Sequence, residues 1–179
     1  MSFTVVMFAL ILAALFATFL TTQRHYASSD AYVHVQEEAR RASNAMTREL
    51  RNAGGAITAA GSQLDFQLPL GFDAAPPCLP STVCWGAFDQ GGAAQPSWSI
   101  RYRLNGTQLV REIRNAEGAV QATRVLANDV GLLSFSYLGA PANTVTAQLQ
   151  ILQTSQQLPG GSMGTTPVPL VIQVKLRND

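Results

Sequence analysis

The stretch FTVVMFALILAALFATFL, residues 3–20, decides the architecture of this chain, because it is eighteen residues long, uncharged, and polar only at Thr4 and Thr18. As a helix rising about 1.5 Å per residue, it would span roughly 27 Å, close to the hydrocarbon thickness of a bilayer. Nothing basic precedes Phe3, and the apolar core is longer than a cleavable secretory signal needs. The abrupt polar exit TTQRHY, residues 21–26, disfavours a buried helix of a soluble core. We therefore expect a membrane-crossing helix.

An amphipathic helix pattern continues from the apolar run without Pro or Gly as far as Gly54-Gly55, a predicted stop with positive φ. Its charged face places Glu37 four residues before Arg41. Its apolar residues recur at spacings of three and four, which puts them on one stripe of the helix. The stripe comprises Tyr32, Val35, Ala39, Ala42, Met46, Leu50 and Ala53. Because an uninterrupted helix from Phe3 to Ala53 would be about 75 Å long, we expect only its second half to be covered by the rest of the chain.

Period-two alternation after the helix predicts an antiparallel sheet, and Asn105-Gly106 predicts a type I′ hairpin turn. The predicted strands are 64–68, 98–104, 108–114, 120–126, 130–138, 145–152 and 168–176. The fold class is therefore α+β, with a long N-terminal helix packed on an antiparallel β-sheet head. We divide the chain into the membrane-spanning or assembly half of the helix (1–23), the amphipathic half (24–55), a connecting loop region with the cysteines (56–97) and the head (98–179).

Both cysteines lie in the segment Pro69–Pro96, which is rich in Gly, Ala and Pro. Five residues separate Cys78 from Cys84, so a local disulfide is the simplest interpretation, contributing roughly 2 to 3 kcal/mol by loop entropy. A metal site is disfavoured because two thiolates need further ligands, and His25 and His34 belong to the helix. A redox motif would prefer two intervening residues. A disulfide would place the head on the periplasmic or outer side of a membrane.

Composition and motifs give no support for catalysis or for nucleic-acid binding. The chain has twelve basic and eleven acidic residues, which predicts no polyanion-binding surface. The acidic residues lack metal-loop spacing, and no hydroxyl lies in a recognisable nucleophile motif. The Gly-rich stretch 159–164 lacks the Lys-Ser/Thr of a phosphate loop. We expect no enzymatic activity, no cofactor and no metal site.

The opening Ser2–Met7, the apolar run after it, and the stretches Gln36–Arg41 and Arg48–Gly55 resemble the N-terminal region of type IV pilus minor pilins of the PilW kind and of related type II secretion minor pseudopilins. The resemblance implies a type IV pilin-like fold. It also implies that a prepilin peptidase, if the true leader is present, cuts before Phe3, with Ser2 standing where the family has glycine.

The same resemblance implies a structural role without catalysis, in which a minor pilin primes, caps or joins the assembly of a pilus. Its partners would be inner-membrane lipid before assembly, then other pilins or pseudopilins. The location would be the bacterial inner membrane with a periplasmic head, and afterwards the filament. Side chains expected to serve membrane insertion and assembly are Phe3, Met7, Phe8, Leu12, Leu15 and Phe19, and those expected on the sheet are Val35, Ala39, Ala42, Met46 and Leu50.

Met7 departs from the family pattern, which has a glutamate four positions after the phenylalanine, thought to neutralise the amine of an adjacent subunit. A charge that lacks its partner is costly in lipid. The resemblance with this departure therefore favours a rare subunit at a filament tip or in an initiation complex.

Two alternatives remain open at the level of sequence. A type II secretion minor pseudopilin would have the same layout in a different system. A membrane-tethered periplasmic binding module would use Phe3–Leu20 only as an anchor, and it would use the 69–96 or 155–167 segments as a ligand surface.

The cysteine spacing yields a first prediction: Cys78 and Cys84 are joined when the protein is made with its membrane segment intact. Maleimide labelling of the native protein without reductant should modify neither thiol, and labelling after reduction should modify both. Labelling of both cysteines before reduction would show that they are not joined. The head would then no longer be assigned to a compartment outside the cytoplasm on the basis of a disulfide.

Overall fold

The computed structural model describes residues 2–72, 78–155, 163–165 and 169–177. It is an α+β protein with an N-terminal helix and antiparallel sheets, which confirms the α+β part of the predicted fold. The chain forms two compact units. One contains Met1–Gln36 and Gln153–Thr166, and the other contains Glu37–Leu152 and Pro167–Asp179.

The helix, α1, runs from Ser2 to Leu50. Twelve strands follow it within the described residues. They are β1 Gly54–Ala60, β2 Gln63–Phe72, β3 Val83–Phe88, β4 Ala94–Pro96, β5 Ser99–Asn105, β6 Gln108–Arg114, β7 Val120–Ala127, β8 Val130–Leu138, β9 Thr144–Ile151, β10 Gln153–Ser155, β11 Met163–Thr165 and β12 Leu170–Lys175.

The end of α1 differs from the predicted glycine stop. The helix closes with the Asn52 and Ala53 amides donating to the Glu49 and Leu50 carbonyls, and Gly54 already begins β1. Gly55 does take positive φ, at +70°, but it does so inside β1, where the pairing with β2 shifts register. A Cβ there would lie 3.0 Å from Gln67 Oε1 and 3.3 Å from the Trp85 ring. Glycine is therefore required by a β-bulge under an indole, not by the helix terminus.

The main sheet has seven strands in the order β4-β3-β2-β5-β6-β7, and β1 also pairs with β2. It therefore begins at Gly54, and the segment 56–97, expected to be a connecting region in which only 64–68 was a predicted strand, contributes β2, β3, β4 and most of β1. The strand β3 (VCWGAF) does not alternate apolar with polar residues, so it gives no period-two signal in the sequence. Gly86 in β3 is needed because a Cβ there would collide with the Gln95 carbonyl of β4.

The β5–β6 hairpin forms where it was predicted, but its turn is of another type. Asn105 pairs with Gln108, so the two loop residues are Gly106 and Thr107. Only Gly106 has positive φ, at +62°. Positive φ at the first loop residue alone is the pattern of a type II′ turn, whereas type I′ needs it at both. Glycine therefore serves the first loop position, and Asn105 completes the strand.

The last predicted strands do not continue the main sheet. A separate three-stranded sheet has the order β12-β9-β8, with β8 and β9 joined as a hairpin. Asp129, which has a φ of +50°, lies between β7 and β8. Backbone amides of β8 then donate hydrogen bonds to carbonyl groups in two turns of the main sheet. The Val130 amide donates to the Thr107 carbonyl, and the Phe135 amide donates to the Gly61 carbonyl, each at 2.7 Å. In the other unit, β10 and β11 form a two-stranded hairpin.

The core of the head lies between the second half of α1 and one face of the main sheet. Register places Leu64 and Phe66 of β2 beside Tyr102 and Ile100 of β5, which face Arg111 and Ile113 of β6. The aromatic rings of Phe66 and Tyr102 are 5.4 Å apart. Ala42, Met46, Leu50 and Ala53 are fully buried, and Ala39 is half-buried. Val35, which belongs to the other unit, is buried as well.

This burial predicts that Met46→Asp unfolds or strongly destabilises the head, by about 4 kcal/mol or more, because an unpaired carboxylate would replace a fully buried thioether. Arg40→Asp is the matched control, since Arg40 is exposed one turn and a half earlier on the same helix and should change stability by less than about 0.5 kcal/mol. Urea titration of both variants in detergent measures the difference. Equal destabilisation would show that the assigned face is wrong.

Candidate functional site

The first half of α1 is the most distinctive surface of the molecule. Phe3–Gln23 is a 21-residue segment with a mean hydropathy of 2.6, long and apolar enough to cross a membrane, and none of its apolar window is buried. The exposed fractions of its large apolar side chains run from 39% at Leu20 to 78% at Phe3. The predicted insertion residues Met7, Phe8, Leu12, Leu15 and Phe19 all belong to this exposed set.

Such a surface is costly in water. Fully exposing one large apolar side chain costs about 1.5–3 kcal/mol relative to burial, so a dozen that are roughly half exposed forgo on the order of 10–20 kcal/mol. This equals or exceeds the whole stability of an ordinary domain, about 5–15 kcal/mol. Lipid or apolar protein must therefore cover the segment. Its length and composition suit a membrane anchor and a signal sequence alike.

The hydroxyl groups at the C-terminal end of the segment are satisfied within the helix. Thr18 donates to the Leu15 carbonyl at 2.8 Å, Thr21 to the Ala17 carbonyl at 2.9 Å, and Thr22 to the Thr18 carbonyl at 2.8 Å. A hydroxyl that lacks a partner in an apolar medium costs several kcal/mol, and these bonds avoid that cost. The three threonines are therefore compatible with an environment that contains no water.

A polar cluster joins the other end of α1 to the sheet. Glu49, in the last turn, accepts hydrogen bonds from the Tyr102 hydroxyl at 2.7 Å and from Arg111 Nε at 2.9 and 3.0 Å. Tyr102 and Arg111 are cross-strand partners on β5 and β6, so one carboxylate bridges two adjacent strands. A glutamate near a helix C-terminus opposes the helix dipole, and its position here is explained by these tertiary partners. We call Glu49, Tyr102 and Arg111 the helix clamp.

Burial governs the chemistry of Tyr102 in the helix clamp. Loss of solvation raises the pKa of its phenol well above the usual value of about 10, and the neighbouring Glu49 carboxylate raises it further. The hydroxyl is therefore a permanent donor over the physiological range. Its role is to hold the carboxylate of the helix, not to exchange protons.

A second carboxylate, that of Glu38, bonds the helix to the residue that follows the edge strand β7. Glu38 Oε1 accepts from the Asn128 backbone amide at 2.7 Å and from its side-chain amide at 3.1 Å. Asn128 lies in the two-residue link where the chain leaves β7 for β8. Glu38 thus ties the helix to the point where the two sheets diverge. Neither Glu38 nor Glu49 was predicted from the sequence to contact the sheet. A glutamate between Arg48 and Arg51 at a helix end, where the dipole disfavours a negative charge, was the signal that could have indicated a tertiary partner for Glu49.

The predicted disulfide between Cys78 and Cys84 is present, and their Cα atoms are 5.3 Å apart. Cys84 belongs to β3 and is buried, so the bridge fastens the loop before β3 onto the sheet. The disulfide favours a non-cytoplasmic compartment.

The other predicted positions are scattered. Ser2 begins α1, and the side chains of Ser2, His25 and Tyr32 lie outside the described part of the structure. In the 69–96 segment, residues 69–72, 83–88 and 94–96 are strand and residues 73–77 fall outside the described residues, as do residues 156–162 and 166–167 of the 155–167 segment. Within the described ranges, no group of three or more His, Cys, Asp or Glu is placed to hold a metal ion.

Comparison with known proteins adds no assignment: no protein-family model matches the chain, and no curated protein matches it. A function is therefore inferred from the chain's own features. These are an uncovered apolar helix segment, a head with a disulfide, and a polar clamp that fixes the helix to the head.

The helix clamp predicts a specific pH dependence. Because its folded pKa is raised, Tyr102 contributes stability that is fully present below the unfolded value of about 10 and is lost as pH rises through the folded value. Tyr102→Phe should lower the free energy of unfolding at pH 7 by about 1.5–3 kcal/mol, the usual worth of a hydrogen bond to a charged group. Above pH 10 this difference should shrink.

Denaturant unfolding of both proteins from pH 7 to 11.5 measures this effect. Tyr26→Phe is the control, because Tyr26 is 75% exposed on α1. A constant difference between the wild type and Tyr102→Phe across this range would contradict the assigned role of the phenol.

Proposed function

We propose that this protein is a structural subunit of a type IV pilus or pseudopilus, which inserts the first half of α1 into the inner membrane and later packs it against the helices of neighbouring subunits. The observation that carries the proposal is the contrast along one helix. Residues 42–50 bury a narrow stripe in the head, whereas Phe3–Gln23 is apolar on all sides and uncovered. The resemblance of Ser2–Met7 and of the two later helix stretches to minor pilins supports the same function.

The mechanism is an exchange of apolar surroundings. In the membrane, acyl chains cover Phe8, Leu12 and Phe19; in a filament, the apolar helices of neighbouring subunits take their place. Moving apolar side chains from lipid into protein yields little hydrophobic free energy, so close packing decides the exchange. The hydroxyl groups of Thr18, Thr21 and Thr22 donate hydrogen bonds to carbonyl groups of the same helix, so they need no partner from lipid or from a neighbouring subunit.

The head is displayed on the periplasmic side in this proposal. The disulfide Cys78–Cys84 supports that orientation, because an oxidising compartment preserves it. The helix clamp supports a mechanical role as well. A force applied to the apolar half of α1 reaches the sheet through directional bonds at Glu49, in addition to non-directional apolar contacts.

In this proposal, Met7 determines where in a filament the subunit fits. If each new amine in a filament interior pairs with a carboxylate four residues after the phenylalanine, a subunit with methionine there fits only where no subunit stacks beyond it. We therefore assign this protein to a tip or initiation complex, present in few copies. It acts by priming or capping assembly, not by building the shaft.

This assignment predicts the abundance of the protein in filaments. In sheared filaments, the protein should be present at a few per cent of the major subunit or less, and deleting it should sharply lower filament number. Met7→Glu should permit incorporation along the shaft, with Met7→Leu as the control that keeps the side chain apolar. Quantitative immunoblotting of sheared filaments measures the native protein, Met7→Glu and Met7→Leu, each relative to the major subunit.

Near-equal abundance of the native protein and the major subunit would overturn the tip assignment and leave a shaft subunit that neutralises its amine by another route. Normal filament number after deletion, with the protein found only in membranes, would instead favour a membrane-tethered module.

A further inference from the structure

The last turns of α1 carry opposite charges on opposite sides of the helix. From residue 37 to residue 51 the chain has four arginines and three glutamates, a nearly even balance. The structure separates the two signs, because Glu38 and Glu49 accept hydrogen bonds from the head. Only Glu37 remains among the arginines on the exposed side.

Helical spacing brings the arginines onto one face. At 3.6 residues per turn, positions 37, 40, 41, 44, 48 and 51 fall within an arc of about 100°, on the side opposite the buried residues Ala42, Met46 and Leu50. Arg51 continues the helical pattern past Leu50, because its amide donates to the Thr47 carbonyl at 3.1 Å. All six residues on this face are exposed. We call them the arginine face: Glu37, Arg40, Arg41, Asn44, Arg48 and Arg51.

Most of the positive charge on the arginine face is not neutralised within the head. Arg41 pairs with Glu37 at 3.1 Å. Arg40, Arg48 and Arg51 make no ion pair with the described part of the chain, and they lie along about 16 Å of helix. The helix dipole favours a cation in the last turn, which accounts for Arg48 and Arg51 but not for Arg40. The fold alone therefore does not explain this face.

The composition of the arginine face favours a protein partner over a nucleic acid. The planar guanidinium group binds a carboxylate or a phosphate through two parallel hydrogen bonds. Duplex DNA is typically held through about 6–10 phosphate contacts, more than three uncommitted arginines supply. The rest of the chain adds no positive field, since the whole protein has twelve basic and eleven acidic residues. Glu37 would repel a polyphosphate, whereas a protein surface of mixed charge can pair with it.

We propose that the arginine face is a contact surface for another protein, which presents carboxylates against Arg40 and Arg48, about 12 Å apart along the helix. Exposed ion pairs each contribute little to affinity, so this face supplies selectivity and orientation within a larger contact. The contact does not depend on whether the apolar half of α1 lies in a membrane or in a filament.

Site-specific photocrosslinking of the full chain in its native host tests this contact, with p-benzoylphenylalanine in place of Asn44 in the arginine face. The protein should form an adduct with one partner protein, and mass spectrometry should place the crosslink in a segment with at least two acidic residues. Arg40→Glu/Arg48→Glu should lower the adduct yield about tenfold, because repulsion replaces attraction at both positions. Replacing the partner's acidic residues with arginine should then restore the yield.

Two further variants separate the contact from folding and from net charge. Arg40→Gln/Arg48→Gln keeps good helix formers and adds no carboxylate near the helix end, and it should lower the yield about threefold. Arg124→Glu/Arg177→Glu makes the same change in net charge as the first variant, at exposed positions elsewhere in the head, and should leave the yield unchanged. Circular dichroism in detergent checks each fold. If the variant with glutamates at positions 40 and 48 unfolds, the glutamine variant decides the question.

Four outcomes would overturn the proposal. They are no protein adduct at position 44, an unchanged yield in the folded variants at Arg40 and Arg48, an equal loss in Arg124→Glu/Arg177→Glu, and no recovery when the partner's charges are reversed. An adduct with lipid or nucleic acid instead of protein would assign the arginine face to phosphate groups. The abundance of the protein in sheared filaments does not enter these results, so the filament role is tested separately.

Discussion

One helix has to satisfy two different surroundings, and the rest of the structure follows from that constraint. In its second half, an apolar stripe of Ala42, Met46 and Leu50 meets one face of a sheet, and the charged side remains in water. In its first half, large apolar side chains point in every direction, and no described residue covers them. The sheet therefore stabilises only one part of α1, and the other part needs lipid or neighbouring helices. The proposed function is the simplest consequence of that division.

Apolar burial alone would not fix how α1 is rotated on the sheet, because hydrophobic contacts are non-directional. Two carboxylates supply the direction. Glu49 binds Tyr102 and Arg111 on adjacent strands, and Glu38 binds Asn128 at the exit from β7. Bonds of this kind are worth a few kcal/mol each, less than the stripe as a whole, but they define one register.

A few backbone hydrogen bonds join the three-stranded sheet to the main sheet. The three-stranded sheet is tied to the main sheet because the amides of Val130 and Phe135 in β8 bond to carbonyls in two turns. At the end of the strand order, β7 pairs among the described strands only with β6. The two sheets are therefore joined at turns and not through a shared strand.

The amino-acid sequence by itself determined the features that depend on local pattern. The length of the apolar run, the stripe at helical spacing, the alternation in β5 through β9 and the close cysteine pair all follow from residues near one another in the chain. The tertiary structure decided whatever depends on distant partners. Within the segment 56–97, the pattern predicted only the strand 64–68, whereas β3 and β4 are held extended by pairing with β2 and with each other. Gly55 serves a bulge under Trp85 instead of the helix end. Glu49, locally unfavourable at a helix terminus, is explained only by Tyr102 and Arg111, which lie more than fifty residues later in the sequence. Such long-range pairings leave no periodic signal, because the physical cause is contact in space and not spacing along the chain.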